Sequence, residues 1–243
     1  FREQFVTTLS HDLRTPLGAA QMSAELILQC LKNGADVALD EIRIFAERTG
    51  KNTRRADRMI NDLLDASVMQ IGEMVPLKIS EVEILSVVDE IIEDLSPDDQ
   101  KRIAVSGAAL KGFWDGDSLR RAIENLITNA IKYGEPDSPI EVRVKGEHER
   151  LVLEVKNQGQ PIPKEDQEVL FQVYRRAQAV RAGNKRGWGI GLALVRGVTE
   201  AHGGSISVDS GPGKGTTFVV DLPQDARPFQ KEKNINRVFI LMK

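Results

Sequence analysis

The sequence predicts two structural units, an α-helical hairpin and, after it, an α+β sandwich with a mixed sheet and helices on one face. Up to about residue 71 the apolar residues recur every three or four positions, which is the spacing of amphipathic helices. From Leu77 onwards, short β-type segments alternate with helical ones, which is typical of an α+β domain. The predicted divisions are the hairpin at 1–75, the α+β domain at 76–223 and a tail of unknown role at 224–243.

The hairpin is predicted to consist of two long helices, at 1–31 and 38–71, joined by a turn at 32–36. Each helix has one apolar stripe, and polar residues such as Thr49 and Asn52 interrupt the middle of the second stripe. Two helices with one stripe each cannot enclose a core. We therefore expect the hairpin to dimerise into a four-helix bundle.

The second unit alternates predicted strands and helices. The predicted strands are 77–82, 103–105, 112–114, 140–145, 151–156, 205–209 and 216–222. The predicted helices are 84–95, 118–133 and 190–201, with a short helical piece at about 165–173 inside a loop-rich stretch. All the strands are expected to belong to one sheet.

Composition narrows the class of protein. The net charge of −3 does not indicate nucleic acid as a partner. The single cysteine, Cys30, excludes an internal disulfide and fits a reducing, cytoplasmic compartment. No apolar run reaches the roughly 18 residues that span a bilayer. Because the chain begins at Phe1 without a methionine, we expect missing upstream segments, through which any membrane contact would run.

The run from Ser10 to Leu17 places His11 beside Asp12 on the first predicted helix. His11 lies two residues from each neighbouring leucine of the stripe, about 200° around the helix, so its side chain is expected to face solvent. Thr15 follows one turn later on the same face. The simpler interpretation is a surface histidine followed by a helix-kinking proline.

One face of the predicted helix 118–133 combines two amides, an ammonium group and an aromatic ring. Asn125, Asn129, Lys132 and Tyr133 fall at positions i, i+4, i+7 and i+8. Amide oxygens suit Mg²⁺, a lysine can pair with phosphate, and a tyrosine ring can stack on a base. This face therefore fits a metal–nucleotide, although an ordinary amphipathic helix would also turn polar residues outward.

Glycines cluster at three further places in the second unit. The segments are Asn157–Ile162 after a strand, Gly187–Leu192 before a helix, and Gly213–Thr217 before a strand. Glycine allows close approach of the backbone to a ligand, and a helix N-terminus favours phosphate. The second segment follows a loop and opens directly into an amphipathic helix, an order that chance seldom produces.

Together these motifs resemble those of the sensor histidine kinases of two-component signalling, in the family's order, over residues 1–223. Residues Phe5–Leu17 look like the histidine box, Asn125–Tyr133 like the asparagine box and Leu170–Arg176 like the phenylalanine box at the ATP lid. The later glycine segments look like glycine boxes. The resemblance implies a dimerisation and phosphotransfer hairpin followed by an ATP-binding domain with the Bergerat fold.

The resemblance also implies roles for individual residues. His11 would attack the γ-phosphorus of ATP, Asp12 would orient or deprotonate its ring, and Thr15 could orient a water that dephosphorylates the partner. The implied partners are a second copy of the chain and an aspartate in the receiver domain of a response regulator. Asn125 and Asn129 would hold Mg²⁺. The residues assigned to ATP binding are Asn125, Asn129, Lys132, Tyr133, Asn157, Gly159, Ile162, Phe171, Arg175, Arg176, Gly187, Gly189, Gly191, Leu192 and Thr216.

One segment departs from the family pattern. The first glycine box of the family usually reads Asp-x-Gly-x-Gly, whereas here it reads Asn157-Gln158-Gly159-Gln160-Pro161. An asparagine oxygen can accept the bond from the adenine amino group that the family's aspartate accepts, but without charge assistance. The lost charge would weaken ATP binding by roughly a kcal/mol.

Two other functions stay open at this level. A dimeric signalling scaffold whose ATP site has degenerated is motivated by Asn157 and Pro161. A Bergerat-fold ATP hydrolase is the other alternative, but such enzymes place a glutamate base where this chain has Asn125. Glu124 is adjacent but turned about 100° away, which favours transfer to a histidine.

Overall fold

The computed structural model describes residues 2–32, 39–70, 75–172 and 189–229, with the backbone alone for residues 2–12 and 69–70. Helices α1 (Arg2–Lys32) and α2 (Leu39–Gln70) pack on each other. Because only six residues separate two such long helices, they must run antiparallel. The predicted hairpin is therefore confirmed.

The buried side chains in the described part of the hairpin are mostly small. Ala20, Ser23, Ala56 and Ala66 are buried, and Pro16 is buried within α1. Many larger apolar side chains of the hairpin stay exposed, which a single hairpin cannot avoid. They are Leu17, Met22, Leu28, Leu31, Leu39, Ile44, Ile60 and Leu64.

The α+β domain contains seven strands and five helices among the described residues. The strands are β1 (Ser80–Glu83), β2 (Ile103–Gly107), β3 (Lys111–Trp114), β4 (Ile140–Glu147), β5 (Arg150–Asn157), β6 (Ser205–Gly211) and β7 (Gly215–Pro223). The helices are α3 (Ile84–Glu93), α4 (Pro97–Gln100), α5 (Gly116–Tyr133), α6 (Lys164–Val169) and α7 (Gly191–Ala201), and a 3₁₀ turn follows at Arg227–Phe229.

Five strands form a mixed sheet in the order β2-β4-β5-β7-β6. Strand β2 runs parallel to β4, and the other neighbours are antiparallel. The core lies between one face of this sheet and helices α3, α5 and α7, whose inward residues include Val88, Leu126 and Leu194. The other face carries ion pairs such as Lys145–Glu154. The predicted sandwich with helices on one face is confirmed.

The prediction of a single sheet is wrong for the strands at 77–82 and 112–114. Strands β1 and β3 instead form a separate two-stranded antiparallel ribbon. The second edge of β3 is taken by the chain that follows β7, since Phe113 N–H donates to the Gln224 carbonyl at 2.8 Å. A Cβ atom at Gly112 would lie 2.4 Å from that same carbonyl oxygen, so this close approach needs glycine.

The predicted tail begins as part of this ribbon. Ala226 N–H donates to the Phe113 carbonyl at 3.0 Å, and the ring of Phe229 covers Gly203. Residues 230–243 lie outside the described part of the chain, and the proposed division at 75 and 223 stays a prediction. Within the described residues, no helix is both long and apolar enough to cross a membrane.

The start of α5 is fixed by two buried side chains, Asp115 and His202. Asp115 caps the helix by accepting from Ser118 N–H at 2.9 Å, and its other oxygen accepts from Lys78 N–H at 2.7 Å. His202 Nε2 accepts from Asp115 N–H at 3.0 Å, so Nδ1 carries the proton and donates to the Val198 carbonyl at 2.8 Å. His202 thereby ties the end of α7 to the beginning of α5 in its neutral form.

The buried neutral ring of His202 predicts a loss of stability below about pH 6.5. Burial lowers the pKa of His202 from 6.5, so the unfolded chain takes up a proton at a pH where the folded chain does not. This stabilisation is complete above pH 6.5 and declines as the pH falls toward the lowered pKa. We expect His202→Gln to lower the free energy of unfolding by about 1–3 kcal/mol at neutral pH and to flatten this dependence. Urea unfolding at pH 7.5 and 5.5 measures both effects, and equal acid sensitivity in the two proteins would contradict the assignment.

Candidate active site

The predicted polar face of α5 is present and lies beside the N-terminus of α7. Asn125 and Asn129 are half-buried on this face, and the apolar residues on the other side of α5 are in the core. At the end of the helix, the Lys132 ammonium lies 5.0 Å from the centre of the Tyr133 ring. The face predicted from spacing is therefore a real surface of the folded domain.

The closest approach in the site joins Asn125 to Gly191. Asn125 Nδ2 donates to the Arg121 carbonyl at 2.9 Å, which turns the Oδ1 oxygen toward α7. A Cβ atom at position 191 would lie 2.4 Å from that oxygen, so only glycine fits there. An amide oxygen is thus held against the first turn of a helix, where backbone N–H groups and the helix dipole attract anions.

Helix α7 begins without a side-chain cap. Ile190 occupies the cap position, has no side-chain oxygen to offer, and is buried. Gly189 precedes it with a φ of +68°, a conformation that glycine adopts without strain. The first N–H groups of α7 thus receive no side-chain oxygen from the cap position, as expected for a phosphate-binding helix terminus.

The other end of α5 pairs with the loop after β5. Glu135 N–H donates to the Gln158 carbonyl at 2.8 Å, and Gly134 forms an isolated bridge with Gly159. A Cβ atom at Gly159 would lie 2.8 Å from the Tyr133 carbonyl oxygen. The first glycine segment therefore brings its loop directly onto the end of the asparagine-bearing helix.

Asn157 ends strand β5 and is almost completely buried. Its Nδ2 donates to the Gln158 carbonyl at 3.0 Å, which orients the amide. Thr216 is its register partner on β7, and a Cβ atom at Gly215 would lie 2.3 Å from the Asn157 carbonyl oxygen. The structure therefore places the predicted residues Asn157, Gly159 and Thr216 next to one another.

Two residues that the sequence analysis missed hold this region together. Ser210 Oγ lies 2.7 Å from Thr216 Oγ1 and accepts from Ile162 N–H at 3.0 Å. Gln167 Nε2 donates to the carbonyls of Ile162 and Ser210, at 2.6 and 3.0 Å. Neither residue belongs to a recognisable motif. Only the pairing of β6 with β7, which brings Ser210 opposite Thr216, could have indicated Ser210, and no sequence signal marks Gln167.

Three predicted ATP-binding residues are apolar packing residues in this structure. Phe171 contacts Phe218 edge to face, with ring centres 6.3 Å apart. Ile162 and Leu192 also pack against the buried core. Their side chains support the walls of the site, and a contact with nucleotide stays a prediction.

The remaining predicted residues lie on the hairpin or outside the described chain. The backbone of His11 and Asp12 is helical, within α1, and their side chains are among those not described. Thr15 is exposed on α1. Arg175, Arg176 and Gly187 fall in 173–188, outside the described residues.

Two family models match the two units of the chain. The model of the His Kinase A phospho-acceptor domain matches residues 1–70. The model of the histidine kinase-, DNA gyrase B- and HSP90-like ATPases matches residues 114–226. The chain belongs to the two-component sensor histidine kinases. The hairpin thus matches the phospho-acceptor part of this family, and the α+β domain matches its ATPase-like part.

Several sensor histidine kinases are similar to this chain, which supports the same assignment. The sensor-like histidine kinase SenX3 of Mycolicibacterium smegmatis is 32% identical over 231 residues, covering 93% of this chain and 59% of that protein. The sensor histidine kinase WalK of Bacillus subtilis is 32% identical over 237 residues, covering 91% of this chain and 36% of that protein. The solved mycobacterial sensor histidine kinase MprB is 26% identical, covers 60% of this chain and 97% of that structure, and has a TM-score of 0.52.

This histidine kinase chain therefore spans only part of the length of its relatives, 59% of SenX3 and 36% of WalK. The family models match the hairpin and residues 114–226 of the α+β domain. The resemblance inferred from the sequence motifs is confirmed at the level of the family and the fold.

The contact between Asn125 and Gly191 gives a direct test of the site. In Gly191→Ala the new methyl group would displace the Asn125 amide, so we expect Mg-ATP affinity to fall on the order of tenfold while the fold is kept. The control is Gly211→Ala, where the nearest atom is 3.8 Å away in the flexible Lys214 side chain. Thermal shift with Mg-ATP measures both, and an unchanged shift in Gly191→Ala would rule out this contact as part of the nucleotide site.

Proposed function

We propose that the chain autophosphorylates His11 from Mg-ATP and passes the phosphoryl group to an aspartate in the receiver domain of a response regulator. The observation that carries this proposal is the contact of Asn125 with the uncapped start of α7, in an ATP-binding domain joined to a hairpin that contains His11 and Asp12. A phosphate site and a histidine acceptor occur in one chain, so the reaction that unites them is phosphoryl transfer to the histidine.

The nucleotide is proposed to bind with its phosphates at α7 and its base at the ends of β5 and β7. Asn125 and Asn129 lie toward the phosphate end, and Lys132 and Tyr133 lie further along α5. The amide oxygens of the two asparagines would hold Mg²⁺, and the orientation of Asn125 Oδ1 by Arg121 fits that role. Bound Mg²⁺ would neutralise phosphate charge during transfer.

Asn157 is proposed to accept a hydrogen bond from the amino group of adenine. Because Nδ2 donates to the Gln158 carbonyl, the amide presents Oδ1 as its acceptor. The asparagine can thus accept this hydrogen bond, although it lacks the negative charge that the family's aspartate contributes. This orientation supplies the acceptor that the proposed contact with adenine needs.

Transfer needs a neutral imidazole ring at His11. One ring nitrogen attacks the γ-phosphorus, the bond to the ADP oxygen breaks, and the proton of the other nitrogen is taken by Asp12. A histidine supplies the neutral ring near physiological pH. Passing the group to a regulator aspartate breaks the nitrogen–phosphorus bond and forms a phosphorus–oxygen bond. Thr15, one turn away, is proposed to orient a water for dephosphorylation of the regulator.

A homodimer is proposed to cover the apolar surface of the hairpin. Residues such as Leu28, Leu31 and Leu64 are more than half exposed, at 59%, 62% and 57%. Burying them against a second copy would complete a four-helix bundle. The receiver domain would then dock on the hairpin near His11.

Simple ATP hydrolysis is disfavoured by the position of Glu124. Its carboxylate is paired with Arg58 of α2, 3.2 Å away, and does not share the face of Asn125. A general base must reach the attacking water, and an ion-paired glutamate on another face is poorly placed to do so. Rapid phosphate release in a variant without His11 would favour the hydrolase.

His11 is tested by substitution with glutamine. We expect His11→Gln to abolish acid-labile labelling from radioactive ATP, because no other group takes its place as the acceptor. His148→Gln is the matched control, since His148 is exposed in the turn between β4 and β5. Phosphate mapping after incubation with Mg-ATP should find His11, and persistent labelling of the His11→Gln variant would refute the assignment.

Asn129 is tested by removing the amide oxygen that is proposed to hold Mg²⁺. Asn129→Leu should weaken Mg-ATP binding on the order of tenfold, because the half-buried position then offers no oxygen to the metal. Thr128→Leu makes the matched apolar change on the exposed side of α5 and should bind normally. Equal Mg-ATP affinities for the Asn129→Leu variant and the unaltered chain would contradict the proposed nucleotide face.

A further inference from the structure

Three polar side chains lie side by side at one end of the helix-covered face of the sheet. Asn157, Thr216 and Ser210 are register partners on β5, β7 and β6. The neighbouring row on the same face is apolar and packs into the core; it consists of Val155, Phe218 and Val208. Because side chains alternate along a strand, both rows point to the same side of the sheet. The polar row therefore marks the point where the packed core ends and the proposed base end of the nucleotide site begins.

Asn157 combines near-complete burial with an acceptor that no described residue uses. Its exposed fraction is 6%, and its Nδ2 donates to the Gln158 carbonyl at 3.0 Å. Within the described part of the chain, no group donates a hydrogen bond to its Oδ1. Polar atoms at so buried a position are nearly always hydrogen-bonded, because burial separates them from water. The free side of this amide is therefore suited to a ligand.

The amide of Asn157 has a second usable orientation. The Gln158 carbonyl also accepts from Glu135 N–H at 2.8 Å, so it keeps a donor when Asn157 Nδ2 turns away. A turned amide presents Nδ2, a donor, where Oδ1 was. Its oxygen then faces the Gln158 carbonyl, which makes this orientation the less favourable of the two. An ionised aspartate would have no second state, because both of its oxygens only accept.

The hydroxyl pair beside Asn157 is reversible as well. Ser210 Oγ lies 2.7 Å from Thr216 Oγ1, and either oxygen can be the donor. Ser210 Oγ accepts from Ile162 N–H at 3.0 Å and lies 3.3 Å from the Gly215 carbonyl, a second acceptor for its proton. When Ser210 donates to Thr216, the Thr216 proton is available to a ligand. When Ser210 donates to Gly215, Thr216 donates to Ser210 and offers a lone pair instead.

Gln167 holds Ser210 in place in both states. Its Nε2 donates to the backbone carbonyls of Ile162 and Ser210, at 2.6 and 3.0 Å. Neither contact uses the Ser210 hydroxyl. Reversal of the hydroxyl pair therefore moves protons while the heavy atoms of this loop and strand stay where they are.

We propose that the base end of the nucleotide site accepts 6-oxopurine nucleotides, of which the inosine nucleotides are the simplest, in addition to adenine nucleotides. The inference rests on the proposed function, because it assumes that the base lies against Asn157 and Thr216. Facing partners of an antiparallel pair stand about 5 Å apart, so both can contact the edge of one base.

The two states of the row match the two classes of purine. Adenine offers a donor at position 6 and an acceptor at position 1, which match Asn157 Oδ1 and the Thr216 proton. Hypoxanthine, the base of inosine, offers the opposite pattern, which matches Asn157 Nδ2 and the lone pair of Thr216 in the reversed state. Adenine is preferred, because the reversed state gives up the hydrogen bond from Asn157 to Gln158.

Binding of ADP and inosine diphosphate, each with Mg²⁺, to the whole 243-residue chain tests the proposal. Inosine is the probe because its base differs from adenine only at positions 6 and 1. We expect the unaltered chain to prefer ADP by on the order of tenfold, which is the loss of one hydrogen bond. Asn157→Asp should raise this preference to on the order of a hundredfold or more, because a carboxylate repels the 6-oxo group and cannot donate to it.

Ser210→Ala tests the hydroxyl pair independently of Asn157. It removes the acceptor that Thr216 needs in the reversed state, so it should weaken binding of inosine diphosphate several-fold more than binding of ADP. Ser207, on the exposed opposite face of β6, is the control position, and Ser207→Asp and Ser207→Ala should leave the preference unchanged.

The outcomes separate this inference from the proposed function. A preference for ADP in the unaltered chain as large as that of Asn157→Asp would overturn the acceptance of 6-oxopurines while leaving the adenine site intact. Equal weakening of both nucleotides by Ser210→Ala would overturn the role of the hydroxyl pair. Absence of binding by ADP and inosine diphosphate alike would refute the nucleotide site itself.

Discussion

The anchoring of helix α5 is the constraint on which the rest of the structure depends. Asp115 caps the helix, and His202 fixes Asp115 from the far end of α7. From that anchored start the helix presents three surfaces: an apolar one to the sheet, a polar one to α7 and a charged one to α2. A rotation of α5 by one residue, about 100°, would misplace all three at once. The proposed nucleotide site and the contact with the hairpin are therefore set by the same few hydrogen bonds.

Periodicity and local motifs were sufficient to predict most of the architecture. The helix predicted at 118–133 is found at Gly116–Tyr133, and its polar face is where the spacing of Asn125 and Asn129 places it. The hairpin and the glycine segments were predictable for the same reason, because each is encoded within a few consecutive residues. The family followed from the order of these local signals along the chain.

Contacts between distant residues could not be predicted in the same way. Ser210 and Thr216 meet because β6 pairs with β7, and nothing in the residues around Ser210 marks it. The ribbon of β1 and β3 depends on Gln224, more than a hundred residues further along the chain than β3. Arg121 reads as an ordinary surface arginine until α2 is placed against it. Each of these features comes from the packing of elements, which a single sequence does not reveal.

The hydrogen bond from Lys78 N–H to Asp115 has a mechanical consequence. It fastens the chain that leaves the hairpin to the cap of α5, so that any swing of the ATP-binding domain must pivot before Lys78. Eight residue steps separate Gln70, the end of α2, from that fixed point, which limits the arm to roughly 25–30 Å when fully extended. Any displacement of the α+β domain from the end of α2 is therefore limited to that length. The number of residues between the end of α2 and the Lys78–Asp115 hydrogen bond sets this limit.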